Sequence, residues 1–166
     1  MSPIVRIEPL EPEQVELAFP LARIMAAELT LERWRGFARA LADPRPPHRH
    51  GIMGAWSSAG YLQGMFGYRV IPDLWLGRVL QIDTMIALGV GGGGRTSAAL
   101  VDAARALAGS EGCVAMRALV PPELAPLFDR RDLVPVPRPP EDTRMLWRSW
   151  LVAQESDAAD STPGGH

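Results

Sequence analysis

The 166-residue chain holds one cysteine, three histidines and two tyrosines. A single thiol, Cys113, excludes an internal disulfide, and so few histidines argue against a structural zinc site. Charge of one sign is missing too. The 17 basic and 19 acidic side chains leave a net charge of −2, which gives no field to gather nucleic acid. No apolar run reaches the roughly 20 residues that span a bilayer. The opening stretch MSPIVRIEPLEPEQ is broken by prolines and acids, unlike a signal peptide. These absences lead to the expectation of a cytoplasmic protein with neither nucleic-acid nor membrane partners. What is present is an ordinary globular composition, 47% hydrophobic and 22% charged, in a length suited to one compact domain.

Periodicity divides the chain into short elements. Residues 4–7 are apolar and β-branched, an opening strand. Residues 11–28 carry apolar side chains at helical spacing, with Pro20 set to kink or split the helix. Thr30 is placed to cap a second helix over 31–41, with Leu31, Trp34, Phe37, Ala38 and Leu41 on its core face. DPRPPHRH, residues 43–50, reads as a solvated loop. Strands over 51–57 and 61–71 flank a short turn, and residues 72–77 turn into a long strand over 78–87. A helix is expected over 97–108, with Gly109 and Gly112 at its exit, then a strand over 113–120 and a helix over 121–131. Strands over 134–136 and 145–152 close the sheet. Residues 153–166 are small and polar, a disordered tail after a domain of residues 1–152. The order β-α-α-β-β-β-α-β-α-β-β contains one strand–helix–strand unit, so the sheet is expected to be mixed and mostly antiparallel, with one parallel pair.

The centre of that unit is VLQIDTMIAL, then GVGGGGRTS, then AALVDAARALA: a strand, a glycine loop and a helix N-terminus, a layout suited to a phosphate group. Residues 89–96 fit phosphate-loop spacing, but Arg95 stands where a lysine reaches between phosphates. Gly89, Gly91 and Gly94 satisfy G-x-G-x-x-G, but the next strand ends in Ala118, Leu119, Val120 and Pro121, with no acid for a ribose. The element order around the loop, the strand LQIDTMIAL, the helix ALVDAARALA and the segment LFDRRDLVPV together resemble the GNAT N-acetyltransferase superfamily over residues 4–152.

The resemblance implies a single α/β (α+β) GNAT-like domain whose parallel strands splay into a cofactor cleft. It implies acetyl-CoA as cosubstrate, with pantetheine on the backbone of Met85, Ile86 and Ala87. The pyrophosphate would lie on the N–H groups of Gly91, Gly92, Gly93, Gly94, Arg95, Thr96 and Ser97. In that family the loop reads Q/R-x-x-G-x-G/A. Here its key positions fall on Gly91, Gly94 and Thr96, or, counted from the helix, on Gly92, Arg95 and Ser97. The family's proton-donating tyrosine aligns with Phe128, which has no proton to give and serves the core. The family often places an acidic base on the central strand, so Asp83 is the candidate base; its other reading is a structural carboxylate paired with an arginine. The expected reaction is acetyl transfer from acetyl-CoA to an amine of a small molecule or protein. A weak or inactive CoA-binding or interaction module is the alternative. Tyr61 and Tyr68 are candidates for an acceptor pocket, on opposite faces of their strand. Cys113 is a small core residue. Trp75, in the turn PDLWLG, is expected exposed, for an acceptor pocket or a homodimer contact.

Overall fold

A computed structural model describes residues 5–41, 49–89, 94–120, 124–128, 133–135 and 146–152. The apolar segments at strand spacing become β1 (Arg6–Pro9), β2 (His50–Trp56), β3 (Leu62–Asp73), β4 (Gly77–Ala87), β5 (Ala115–Val120), β6 (Leu133–Pro135) and β7 (Leu146–Val152). They form one seven-stranded sheet in the order β1-β2-β3-β4-β5-β7-β6. Every neighbouring pair is antiparallel except β4 and β5, as the element order requires.

The helical segments depart from the sequence reading mainly at their ends. Pro20 splits the first region: a 3-10 helix (Pro12–Ala18) runs into α1 (Phe19–Met25), with Pro20 in the first turn, where its missing N–H costs nothing. Thr30 caps α2 (Leu31–Leu41) as expected, its Oγ1 accepting the Arg33 N–H at 3.3 Å. α3 (Gly94–Ser110) begins three residues earlier than expected, because Gly94, Arg95 and Thr96 already form its first turn. Of the helix expected over 121–131, the described residues show α4 (Ala125–Phe128), a single turn. His50 opens β2 rather than lying in the preceding loop, and Tyr61 precedes β3 in the turn. The proposed tail, 153–166, lies outside the described residues.

The sheet is filled on both faces. On one side Phe66, Leu80, Ile82 and Met85 meet Leu100, Val101, Ala104 and Ala108 of α3 and Phe128 of α4. On the other, Ile52, Trp56, Met65 and Ile86 meet Val15, Leu21, Ala22, Trp34, Ala38 and Leu41. Burying side chains of the size of Phe66, Leu80, Ile82 and Met85 stabilises the fold by about 1.5–3 kcal/mol each. Trp34 is also held by a buried hydrogen bond, its Nε1 donating to the Val15 carbonyl at 2.7 Å, which ties α2 to the 3-10 helix. No described helix is long and apolar enough to cross a membrane.

Candidate active site

The β4–β5 ladder is short. Val79 to Ile82 pair with Ala115 to Ala118. Beyond that point β4 keeps only β3 as neighbour, as far as Ala87, while β5 keeps only β7, as far as Val120. The two parallel strands part at Ile82 and Ala118. Residues 83–87, which include the expected pantetheine contacts Met85, Ile86 and Ala87, therefore form an edge within the sheet, with backbone groups toward β5 that have no strand partner among the described residues.

A β-bulge sits where the strands part. Tyr68 is opposite Ile82 and Gly67 is opposite Thr84, which leaves Asp83 as the extra residue on β4. The bulge shifts the alternation of the strand. Leu80, Ile82 and then Met85 face α3, while Ile86 faces α1 and α2. Asp83 is largely shielded, with 12% of its side chain exposed. Its Oδ2 accepts from Arg69 Nε at 2.7 Å and its Oδ1 from Gln81 Nε2 at 2.7 Å. Asp83 thus stands at the end of the β4–β5 ladder in an ion pair with Arg69.

The far wall of the cleft is close-built. Gly64 on β3 lies opposite Ala87, and a Cβ there would stand 2.7 Å from the Ile86 carbonyl oxygen, 2.9 Å from Leu100 Cδ1 and 3.1 Å from Thr96 Cγ2. Glycine lets β4 and the start of α3 come together over β3. Gly94, at φ +43°, takes a left-handed conformation that suits glycine as the chain enters α3. The first turn, Gly94 to Thr96, carries N–H groups with no acceptor inside the helix, at the positive end of the helix dipole. Arg95 is exposed there, whereas Thr96 and Ser97 turn their side chains inward and are buried. Four of the expected phosphate contacts, Gly94, Arg95, Thr96 and Ser97, are thus at the helix start; Gly91, Gly92 and Gly93 lie outside the described residues. An anion at this end of α3 meets backbone N–H donors and the exposed Arg95 guanidinium, so the residues present fit a pyrophosphate.

On the α1–α2 face, the parting of the strands opens onto a cavity of about 340 Å³. Thr84 and Leu119, just past the last paired residues of β4 and β5, form its floor. Met25, Leu29, Trp34 and Phe37 supply apolar walls, and Arg33 lines it from α2. Sequence reading missed this site because Phe37 and Trp34 carry the same apolar signal whether they fill a core or line a cavity. Neither tyrosine takes part. Tyr61 is 72% exposed in the β2–β3 turn, and Tyr68 stands on the α3 face against Phe66, ring centroids 6.1 Å apart. Burial and strand alternation decide the remaining candidates. Phe128 is fully buried in the α3-side core. Cys113 is buried as well, and burial pushes its thiol pKa up, away from the nucleophilic thiolate. Trp75 is exposed with Leu74 at the β3–β4 turn.

No family model and no curated protein matches the sequence. Solved structures do match its fold. An acetyltransferase of the GNAT family from Streptococcus pneumoniae is 13% identical, with a TM-score of 0.64, and the match covers 90% of this chain and 100% of that one. The histone acetyltransferase HPA2 and related acetyltransferase of Corynebacterium glutamicum is 20% identical, with a TM-score of 0.63 and coverage of 94% and 99%. The PaiA N-acetyltransferase of Thermoplasma acidophilum, solved with coenzyme A, is 13% identical, with a TM-score of 0.56 and coverage of 90% and 98%. The chain has the fold of the GNAT acetyltransferases, single-domain and mixed α/β, as its element order led one to expect.

Proposed function

We propose that the protein is an acetyl-CoA-dependent N-acetyltransferase acting on a small primary amine. One observation carries the reading: the parting of β4 and β5 joins an edge-exposed strand and a phosphate-suited helix start to an apolar cavity on the opposite side. A long thioester-bearing ligand and a small acceptor would meet there from two directions. Acetyl-CoA supplies an activated acyl carbon; the chain supplies everything else. The backbone of Met85, Ile86 and Ala87 holds the pantetheine as an added strand. The N–H groups of Gly94 to Thr96, with Gly91, Gly92 and Gly93 before them and the Arg95 side chain beside them, hold the pyrophosphate.

Asp83 takes a proton from the acceptor ammonium and passes it to solvent. A carboxylate has about four lone-pair sites, and Arg69 and Gln81 occupy two, so the ion pair leaves it able to accept. The amine nitrogen then bonds to the acyl carbon, the carbon–sulfur bond breaks with its electron pair going to sulfur, and the second nitrogen proton ends on sulfur. Phe128 contributes no proton to that departure. Its burial in the α3-side core favours, as a second reading, a CoA-binding module with slow transfer. The same proposal takes the protein to be cytoplasmic and allows a homodimer through the exposed Leu74 and Trp75.

Thermal unfolding with acetyl-CoA tests the common part. At about 100 times its dissociation constant, a ligand bound only by the folded state adds about 2.7 kcal/mol, which in a chain of this size raises Tm by about 5–11 °C. No rise at near-millimolar acetyl-CoA overturns both readings. Thiol release with an amine panel then separates enzyme from module.

A further inference from the structure

The cavity between α1, α2, β4 and β5 carries more than its position. Its volume, about 340 Å³, lies at the small end of the roughly 300–1,000 Å³ range of ligand sites, enough for a body the size of one amino acid. Apolar and aromatic side chains dominate its walls, and among the described residues no acidic side chain lines it. A polycationic acceptor would lose the hydration of several ammonium groups there with no carboxylate to replace it. Asp83, the carboxylate on β4, shares an ion pair with Arg69 at 2.7 Å and is a single acceptor for the reacting amine, with nothing left for further ammonium groups. An acceptor with a single amine and an apolar body has no such cost. Contact with the apolar wall also favours the neutral amine, the form that attacks.

Among the described residues the one charge in the lining is a cation, Arg33, exposed on the first turn of α2. Among the described residues its guanidinium meets no hydrogen-bond or ion-pair partner; the bond at this residue is from its backbone N–H to Thr30. A guanidinium presents a planar fork of donors that fits a carboxylate in a two-point contact.

Resting on the transferase reading above, we infer that the acceptor is a small amino acid-like compound, a primary amine with an apolar or aromatic body and a carboxylate. The carboxylate lies on Arg33, the apolar body lies against Met25, Phe37 and Leu119, and the amine points past Thr84 to the parting of the strands. Arg33 is then the specificity-determining residue of the site.

The test is thiol release from acetyl-CoA by the full chain, with phenylalanine and leucine each set against its decarboxylated counterpart, phenethylamine and isoamylamine, and with spermidine as the polycation. The expected kcat/KM for each amino acid exceeds that of its counterpart by about tenfold or more, and spermidine is the poorest acceptor. In R33Q the two ratios fall to near one, chiefly through a higher KM for the amino acids. Arg33 is exposed, so this variant folds, and an unchanged Tm verifies it. Decarboxylated amines or spermidine equal to or better than the amino acids would overturn the inference, as would ratios that persist in R33Q. Stabilisation by acetyl-CoA without thiol release to either amino acid would defeat this inference and leave CoA binding standing. Loss of that stabilisation defeats the transferase reading itself.

Discussion

Replacing Gly64 by alanine tests whether the sheet and the start of α3 are built around a missing side chain. The new Cβ would stand 2.7 Å from the Ile86 carbonyl oxygen, against the roughly 3.3 Å at which carbon and oxygen make a close contact, so something must yield by about 0.6 Å. Leu100 Cδ1 and Thr96 Cγ2, at 2.9 and 3.1 Å, hem the same point, and both residues are buried. Overpacking of this kind costs about 1–3 kcal/mol, partly offset by about 0.4–1 kcal/mol because alanine restricts the unfolded chain. A net loss of about 1–2 kcal/mol corresponds to a Tm lower by about 2–8 °C. The yielding groups belong to the proposed cofactor site, Ile86 on β4 and Thr96 in the first turn of α3. Acetyl-CoA affinity measured by calorimetry should therefore fall about tenfold, equivalent to about 1.4 kcal/mol. Gly36, on the open side of α2 with nothing within 4 Å of a Cβ, is the control; G36A should raise stability by about 0.5–1 kcal/mol. If G64A keeps both the wild-type Tm and the wild-type affinity, the close approach over β3 is not what shapes the cleft.

Three further outcomes follow from the same geometry. D83N should lower kcat by about 10²-fold or more, the lower end of what general base help contributes, with acetyl-CoA affinity nearly kept; parallel loss of both would make Asp83 purely structural. F128Y places a hydroxyl at a fully buried position in the α3-side core, so chemical denaturation should show about 1–3 kcal/mol of destabilisation and thiol-release assays no gain; faster transfer with unchanged stability would put residue 128 next to the leaving sulfur. At the β3–β4 turn, Arg117 and then the backbone N–H groups of Leu76 and Trp75 hold the Asp73 carboxyl below its ordinary value of 3.8. A depressed carboxyl pKa stabilises the fold above the unfolded-state value and stops doing so as pH falls through the folded-state value. The stability difference between wild type and D73N, followed by urea unfolding, should be full at neutral pH and close below about pH 4; a difference independent of pH would refute the ion-pair assignment.

Much of this architecture is legible in the letters, because local rules decide it. Thr30 before an amphipathic run caps α2, Pro20 divides the first helical region, and one strand–helix–strand unit yields the one parallel pair. The start of α3 is less legible. Glycines carry little helical signal, and it is Gly94 at a positive φ that lets the helix begin at the end of the glycine run.

The site depends on a break in the pattern. Strict alternation along β4 would set Leu80, Ile82, Thr84 and Ile86 on one face and Asp83 with Met85 on the other. The structure instead buries Met85 with Leu80 and Ile82 toward α3 and turns Ile86 the other way. The apolar residues slip phase between Ile82 and Met85, and a bulge at Asp83 is the arrangement that accommodates such a slip in a strand held on its β3 side. The sequence alone leaves the phase open, because Ile86 continues the alternation that Met85 breaks. What it cannot carry is the consequence: the bulge coincides with the last β4–β5 pair, past which β5 stays paired with β7 as far as Val120. The coincidence brings Thr84 to the floor of the apolar cavity and leaves Asp83 beside it, within reach of Arg69. The inserted residue keeps Asp83 on the face of Gln81 and Arg69 and adds Thr84 to that face, where the apolar cavity meets the open edge of β4.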